Sequence, residues 1–178
     1  MDQIINFPKN FTRSLPYVIY ASALLNSLIT GHQLGIMFTL SGLISDGINV
    51  LLKLLFNFID PTKEKWMRPA PPADGCGIFP VFNTNQSKAG GMPSGHAQMV
   101  TFAALFWLLY LWRHGLTTSV RTLISTVIII GLAALTMYSR IAEGCHTFEQ
   151  VLVGGILGGI LGTGSFFLLE NNQPQLFG

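Results

Sequence analysis

Two segments of the sequence carry side chains whose types and spacing could do chemistry. The first is Pro93-Ser94-Gly95-His96, and the second is Ser139-Arg140, followed after five residues by His146. An imidazole can act as a nucleophile or transfer a proton near neutral pH. A guanidinium binds two phosphate oxygens through parallel hydrogen bonds. Together the segments predict covalent cleavage of a phosphate ester or anhydride, which requires a nucleophile, a proton donor and fixed cations.

Three of these residues are the candidate catalytic groups. His146 is predicted to be the nucleophile, because an imidazole can form a phosphohistidine. His96 is predicted to be the general acid that protonates the leaving oxygen. Arg140 is predicted to stabilise the negative charge on the phosphoryl oxygens during transfer. This scheme requires no metal ion and no other cofactor.

A second set of residues is predicted to bind the substrate phosphate. Ser94 and Gly95 offer a hydroxyl and unhindered N–H groups at a helix N-terminus, where the helix dipole favours an anion. Ser139 could bind phosphate too, or serve only as a cap or as a donor to its own helix backbone. The candidate substrate-binding residues are Lys53, Arg68, Ser94, Gly95 and Ser139.

The composition of the chain predicts a membrane protein. Only 10% of its 178 residues are charged, whereas soluble domains have about 25%. Hydrophobic residues make up 49%, and the mean hydropathy is +0.49. The net charge of +2, without a basic stripe in the sequence, argues against nucleic-acid binding. The length fits one domain, residues 1–178, with about five membrane helices.

Charged residues and prolines mark where the predicted membrane helices end, because a charge in hydrocarbon is costly. The loop 60–91 is rich in proline and cannot continue a helix or lie in lipid. The third span is predicted to carry Pro93 in its first turn and Ser94 as a cap. The sequence therefore predicts an all-α, multi-pass transmembrane helical bundle with two spans between 14 and 59, separated near 30–32, and further spans at 93–112, 122–138 and 148–169.

This topology brings the chemical segments to one face of the membrane. The loop 60–91, the start of the third span, and the turn between the fourth and fifth spans all lie on that side. We expect the active site there.

The segments resemble the motifs of the type-2 phosphatidic acid phosphatase superfamily. Its pattern is Lys-x6-Arg-Pro, then Pro-Ser-Gly-His, then Ser-Arg-x5-His-x3-Asp, and the resemblance covers about residues 46–165. It implies a membrane helical bundle, a histidine nucleophile, no metal ion, and a lipid phosphate as substrate among membrane lipids. The oligomeric state is left open.

The run from His146 to Gly155 resembles the dolichyl diphosphatase branch, which likewise carries glutamine at the position of Gln150. That resemblance implies hydrolysis of a polyprenyl diphosphate to the monophosphate, in the endoplasmic reticulum or in a bacterial plasma membrane. It implies a lumenal or extracytosolic active face, although counting lysines and arginines favours the opposite orientation. The alternatives are a phosphatase of phosphatidate, lysophosphatidate or sphingoid phosphates, and a noncatalytic lipid-binding membrane protein.

The chain departs from the family pattern in its first motif. Lys53 precedes Arg68 by more residues than the pattern has, and Lys63 and Lys65 are nearer alternatives. We favour Lys53, because a lysine inside an apolar run otherwise carries a desolvation cost for no return.

The second departure is Gln150 in place of the family's aspartate. Its amide oxygen lies one helical turn after His146 and is predicted to accept a hydrogen bond from the imidazole. Glu143 and Glu149 are candidates to supply the missing negative charge. On this reasoning an aspartate at position 150 should be tolerated.

Two further patterns concern packing. The repeat Gly154-x3-Gly158-x3-Gly162 predicts close contact with another helix. Cys76 and Cys145 fall on the predicted active face. They could form a disulfide if that face is lumenal, but two separate thiols are the default expectation.

Overall fold

The described part of the chain folds into five α-helices. The computed structural model describes residues 2–60, 64–69, 76, 90–114 and 119–177, without the side chains of residues 2–9 and 65. Two short 3-10 helices, Glu64–Trp66 and Pro174–Leu176, accompany the five. These described ranges contain no strand, and the all-α class is confirmed. The α-helices are α1 (Asp2–Thr30), α2 (Leu34–Ile59), α3 (Gly95–His114), α4 (Val120–Ala142) and α5 (Phe148–Asn172).

Each predicted span corresponds to one helix, but two of the helices start at other residues than the spans. The first span was expected to start near residue 14, whereas α1 starts at Asp2. Hydrophobicity identifies the part of a helix that suits lipid. The helix itself extends as far as its backbone hydrogen bonds continue, so it can begin before the apolar part. Pro93 was placed in the first turn of α3, but that helix starts at Gly95, so Pro93 precedes Ser94, the residue before the helix.

Length and hydropathy identify three helices, α2, α4 and α5, as able to cross a membrane. They carry many exposed large apolar side chains, such as Leu43, Val127 and Ile156. Such residues outside the core suit a lipid environment. The expected count of about five spans remains a prediction for α1 and α3, where polar residues such as His96 and Gln98 interrupt the apolar sequence.

Helices α3 and α5 form the most extensive helix pair. A β-carbon at Gly154, Gly158 or Gly162 would collide with the backbone of α3, at its Ser94, Gln98 and Phe102 carbonyl oxygens respectively. The glycine repeat therefore allows the two backbones to touch, as the sequence predicted. Because α3 starts with the His96 segment and α5 starts just after His146, this contact fixes the two histidines relative to each other.

We expect Gly158→Ala to lower the stability of the detergent-purified protein by about 1–3 kcal/mol, because the added methyl group forces two backbones apart. Gly164→Ala is the matched control on the same helix, since a β-carbon there meets no atom within 4 Å. The midpoint of thermal unfolding measures both. An unchanged midpoint for Gly158→Ala would contradict the close packing.

An aromatic cluster fills the space between α1, α2, α3 and α5. The rings of Tyr20 and Phe38 stack with centroids 5.0 Å apart, and Phe38 also packs against Phe106 at 5.0 Å. Phe166 of α5 meets Phe106 edge to face at 5.6 Å. These rings are almost fully buried, so they join the helices that carry the candidate site residues.

Candidate active site

The end of α4 explains the spacing between Arg140 and His146. The helix ends at Ala142, and Gly144 takes a φ of +69°, a conformation that favours glycine. The backbone N–H groups of Cys145 and His146 then both donate to the carbonyl oxygen of Arg140, at 3.0 and 3.1 Å. This turn places the histidine directly beside the end of α4.

Arg140 is completely buried at this helix end. Its Nη2 donates to Glu143 Oε2 at 2.9 Å, and its Nε donates to Ser139 Oγ at 3.3 Å. Its Nη1 is buried and has no hydrogen-bond partner among the described residues. The guanidinium is therefore held on two sides and keeps one set of donors for an anion.

The imidazole of His146 is fixed through its Nδ1 atom. That nitrogen lies 3.0 Å from the carbonyl oxygen of Gly91 and 3.0 Å from Gln150 Oε1. The amide of Gln150 is oriented by its other end, where Nε2 donates to the Met67 carbonyl at 2.6 Å. Both atoms facing Nδ1 can only accept, so Nδ1 carries the proton and Nε2 keeps its lone pair.

The charge state of His146 also suits a nucleophile. Burial, followed by the positive charge of Arg68, lowers the pKa of His146 to about 4. The ring is therefore neutral at physiological pH, and Nε2 is unprotonated. An unprotonated imidazole nitrogen beside cations is the form that can attack an electrophilic phosphorus.

His96 lies at the start of α3 and is held by α1. Its Nε2 lies 3.1 Å from the carbonyl oxygen of Arg13, and its ring meets Tyr17 edge to face at 6.0 Å. The carbonyl can only accept, so Nε2 is the donor and Nδ1 is the nitrogen left for proton transfer. His96 is 9% exposed, and His146 and Arg140 lie within electrostatic range of it.

One cavity of about 350 Å³ joins the predicted site residues. Arg140 is buried beside it, within electrostatic range of Arg68 and His96. The structure thus brings together residues from the loop, from α3 and from the α4–α5 turn, as the predicted topology requires. The cavity is lined by Lys53, Arg68, Gly95, His96 and His146, together with Tyr17, Asp46 and Asn49 of the first two helices.

Lys53 reaches this cavity from α2. Its Nζ lies 3.7 Å from the position that a β-carbon on Gly95 would occupy. A buried ladder holds α2 there, because Asn49 Nδ2 donates to Gln98 Oε1 at 2.6 Å, and Gln98 Nε2 donates to the Ser45 carbonyl at 2.6 Å. The alternatives, Lys63 and the side chain of Lys65, lie outside the described residues. The geometry is consistent with Lys53 as the lysine of the first motif.

The two predicted serines are buried around the cavity rather than in its wall. Ser94 is fully buried, and its Oγ is 3.5 Å from the N–H of Ala97 in the first turn of α3. Ser139 Oγ donates to the Thr136 carbonyl at 2.8 Å and accepts from Arg140. This is the backbone-bonded arrangement that the sequence left open for Ser139, with an added contact that positions Arg140.

Gln150 does more than orient His146. Thr147 and Gln150 form a capping box at the start of α5, in which each side chain accepts from the other's backbone N–H, both at 3.3 Å. The Thr-x-x-Gln spacing is a signal for this box that the sequence analysis did not use. Through Met67, the same amide also ties α5 to the segment that carries Arg68.

This second contact changes the expectation for an aspartate at position 150. A carboxylate cannot donate to the Met67 carbonyl, so Gln150→Asp should lower kcat/KM about tenfold by releasing the Arg68 segment. Steady-state phosphate release measures the change. Glu149→Gln, at the exposed neighbouring position, is the control and should behave as wild type. Full activity of Gln150→Asp would show that the Met67 contact is dispensable.

Two expectations about charge and thiols were wrong. Neither glutamate replaces the missing aspartate beside His146: Glu143 pairs with Arg140 at 2.9 Å, and Glu149 is exposed. Cys76 and Cys145 are not separate thiols but form a disulfide, with Cα atoms 5.5 Å apart. Spacing alone could not reveal this pair, because the two cysteines are 69 positions apart and α3 and α4 lie between them, so the packing of these helices decides the distance.

The cavity wall also contains three residues that were not predicted from the sequence, Tyr17, Asp46 and Asn49. Asp46, Asn49 and Lys53 recur at helical spacing on one side of α2, which is a usable signal. Tyr17 had none, because only the packing of α1 brings it to His96. Among the described residues no group of three or more His, Cys, Asp or Glu side chains could hold a metal ion.

The long apolar helices indicate a membrane protein, and the histidines and cations that line one cavity are groups suited to binding an anion. The family model described as the PAP2 superfamily matches residues 30–174. The chain therefore belongs to the PAP2 superfamily, as its three motifs indicated.

Curated relatives carry phosphatase names. The chain is 33% identical to dolichyldiphosphatase 1 of Homo sapiens over 94 residues, 49% of this chain and 40% of that protein. It is 29% identical to dolichyldiphosphatase 1 of Rhinolophus ferrumequinum over 173 residues, 92% of this chain and 65% of that protein. It is 39% identical to lipid phosphate phosphatase gamma of Arabidopsis thaliana over 83 residues, 46% of this chain and 37% of that protein. The matches to the human and Arabidopsis proteins thus span less than half of their lengths, and no solved structure matches.

Proposed function

We propose that the chain is an integral-membrane lipid phosphatase that hydrolyses a polyprenyl diphosphate to the monophosphate through a phosphohistidine on His146. The observation that carries this proposal is the cavity in which His146 presents an unprotonated Nε2 beside His96, Lys53 and Arg68. A nucleophile, a proton carrier and cations in one cavity are what phosphoryl transfer by a covalent route needs.

In the first step, His146 Nε2 attacks the terminal phosphorus. An N–P bond forms, the bridging P–O bond breaks, and its electron pair goes to the leaving oxygen of the lipid monophosphate. His96 Nδ1 donates the proton to that oxygen, and a bound phosphate anion favours the protonated ring that this requires. Arg140, Arg68 and Lys53 neutralise the equatorial oxygens, and Ser139 holds Arg140 in position.

In the second step, water attacks the phosphorus of the phosphohistidine. His96, now neutral, takes a proton from that water, the N–P bond breaks, and its electron pair returns to His146 Nε2. Inorganic phosphate leaves, and both rings regain their starting protonation states. The hydrogen bonds from Nδ1 of His146 to Gly91 and Gln150 keep the same tautomer throughout.

A diphosphate on a polyprenyl chain is the substrate we favour, because glutamine at position 150 and the dolichyldiphosphatase relatives agree. A monophosphate lipid such as phosphatidate is the second candidate, and the similarity to a plant lipid phosphate phosphatase favours it. A noncatalytic lipid-binding role is the third, but Lys53 and Arg68 do meet at the cavity despite their longer spacing.

Phosphate release by detergent-purified protein in EDTA tests these candidates. We expect faster release from dolichyl or undecaprenyl diphosphate than from phosphatidate, lysophosphatidate or sphingosine phosphate, with no requirement for added metal. Faster release from a monophosphate lipid would select the second candidate. No release from any of them, with lipid binding retained, would select the third.

We further propose that the active face is lumenal, in the endoplasmic reticulum, or extracytosolic in a bacterium. The Cys76–Cys145 disulfide lies at the site, where Cys145 directly precedes His146 and Cys76 lines the cavity. Disulfides persist in oxidising compartments and are rare in the cytosol. This consideration outweighs the count of lysines and arginines, because several of those cations surround the cavity.

Intact mass after alkylation of membranes solubilised without reductant tests the orientation. No alkylated thiol is expected before reduction and two are expected after it, because the chain has only two cysteines. Two alkylated thiols without reductant would reject the disulfide and with it the support for a lumenal face.

A further inference from the structure

Arg13 of α1 is a buried cation that the proposed mechanism does not use. The residue is 8% exposed, and its Nε atom is buried without a hydrogen-bond partner among the described residues. No carboxylate in the described part of the chain lies within salt-bridge distance of it. A buried guanidinium without a counter-charge is costly, so an anion that binds beside it would be stabilised.

The position of Arg13 relates it to one side of the site. Its carbonyl oxygen accepts the hydrogen bond from His96, and its charge lies within electrostatic range of Arg140. Tyr17, one turn further along α1, packs on His96 and lines the cavity. Arg68 and Lys53 act on His146, and Lys53 acts on His96 as well. Arg13 is thus on the side of the proton donor, where the leaving group departs.

The charged side chains around the site carry a net positive charge that favours an anionic substrate. Four cationic side chains and two carboxylates are grouped there among the described residues, which leaves two positive charges in excess when the histidines are neutral. One phosphate group carries a charge of about −1.5 to −2, so this excess balances one phosphate group, and contact with a second one depends on the position of Arg13. The members of this group are Arg13, Lys53, Arg68, Arg140, Asp46 and Glu143.

We propose that Arg13 binds the lipid-side phosphate of a diphosphate substrate and thereby selects diphosphates over monophosphate esters. The inference rests on the proposed function, since it places His146 at the terminal phosphorus. The leaving group of a diphosphate is itself a phosphate, whose charge grows as the bridging bond breaks, and Arg13 on the His96 side meets it. A monophosphate ester leaves as an alcohol and offers Arg13 no oxyanion to bind.

The test compares Arg13→Gln with wild type on two substrates, a polyprenyl diphosphate and phosphatidate. We expect kcat/KM to fall roughly 10- to 100-fold for the diphosphate, as for loss of a hydrogen bond to a charged group. For phosphatidate we expect less than about a threefold change. Arg13→Lys should recover part of the diphosphate activity. Arg121→Gln, at an exposed arginine of α4, is the matched control and should change neither rate.

A merely structural role predicts a different pattern. If Arg13 only supports His96, its replacement lowers the rates for both substrates equally, and the proposal is overturned. If Arg13 binds bilayer headgroups, neither rate changes in detergent, which also overturns it.

A binding measurement separates this inference from the proposed function. Inorganic pyrophosphate should raise the unfolding temperature of wild type more than orthophosphate does, and Arg13→Gln should abolish the difference. This result would support the second phosphate site even if no lipid were hydrolysed. A wild-type protein without preference for pyrophosphate would overturn the inference, whatever its activity.

Discussion

His146→Ala should lower kcat on the preferred lipid phosphate by at least about 10⁴-fold, the scale seen when a covalent nucleophile is removed. The reason lies in the way the imidazole ring of His146 is held. Its Nδ1 is held by Gly91 and Gln150, so only Nε2 is left to attack. Acid-labile phosphoenzyme should also disappear on rapid quenching.

The control for this substitution is His32→Ala, because His32 is exposed in the turn between α1 and α2. It should leave both the rate and the phosphoenzyme unchanged. The unfolding temperature of His146→Ala should be measured beside its activity, so that misfolding is recognised. A folded His146→Ala protein that retains more than about a hundredth of the activity would remove His146 from the nucleophile role.

Arg140→Lys should lower kcat/KM by roughly 10²- to 10³-fold, comparable to the loss of one preorganised transition-state donor. Arginine can contact Glu143, Ser139 and an anion at once through separate nitrogens. A lysine has one nitrogen and would stay with Glu143 or reach the phosphate, but not both. The measurement is steady-state phosphate release, with the pyrophosphate-induced unfolding shift as a readout of binding.

Arg121→Lys is the control, since Arg121 is exposed near the start of the same helix. Glu143→Gln tests the positioning of Arg140 separately from its contact with phosphate, because it weakens the hold on the guanidinium without removing it. It should lower kcat/KM less than Arg140→Lys does. A near-wild-type rate for Arg140→Lys would mean that a single positive charge suffices. It would contradict the requirement for separate contacts of Arg140 with Glu143, Ser139 and the phosphate.

The sequence predicted the parts of the site that local patterns determine. Apolar runs located the five helices, and the Ser-Arg-x5-His spacing predicted that His146 follows Arg140 at the end of α4. In this chain the Gly144 turn accounts for that spacing, because it returns the N–H groups of Cys145 and His146 to the Arg140 carbonyl. The glycine repeat of α5 predicted its contact with another helix for an equally local reason.

The remaining parts depend on packing between distant segments. No spacing relates Arg13 or Tyr17 to His96, because the packing of α1 against α3 brings them together. The disulfide and the link from Gln150 to Met67 likewise join segments whose distance only the fold decides. The preference of Glu143 for Arg140 over His146 follows from its place directly after the end of α4, three residues after the arginine.

The most direct test of the central claim is a structure of the protein soaked with orthovanadate, which mimics the five-coordinate phosphorus of the transfer reaction. We predict vanadium bonded to His146 Nε2 inside the cavity, with its equatorial oxygens contacting Arg68 and Arg140 and its apical oxygen facing His96. Vanadate bonded to another residue, or held away from both histidines, would contradict the convergence of these groups on one phosphate.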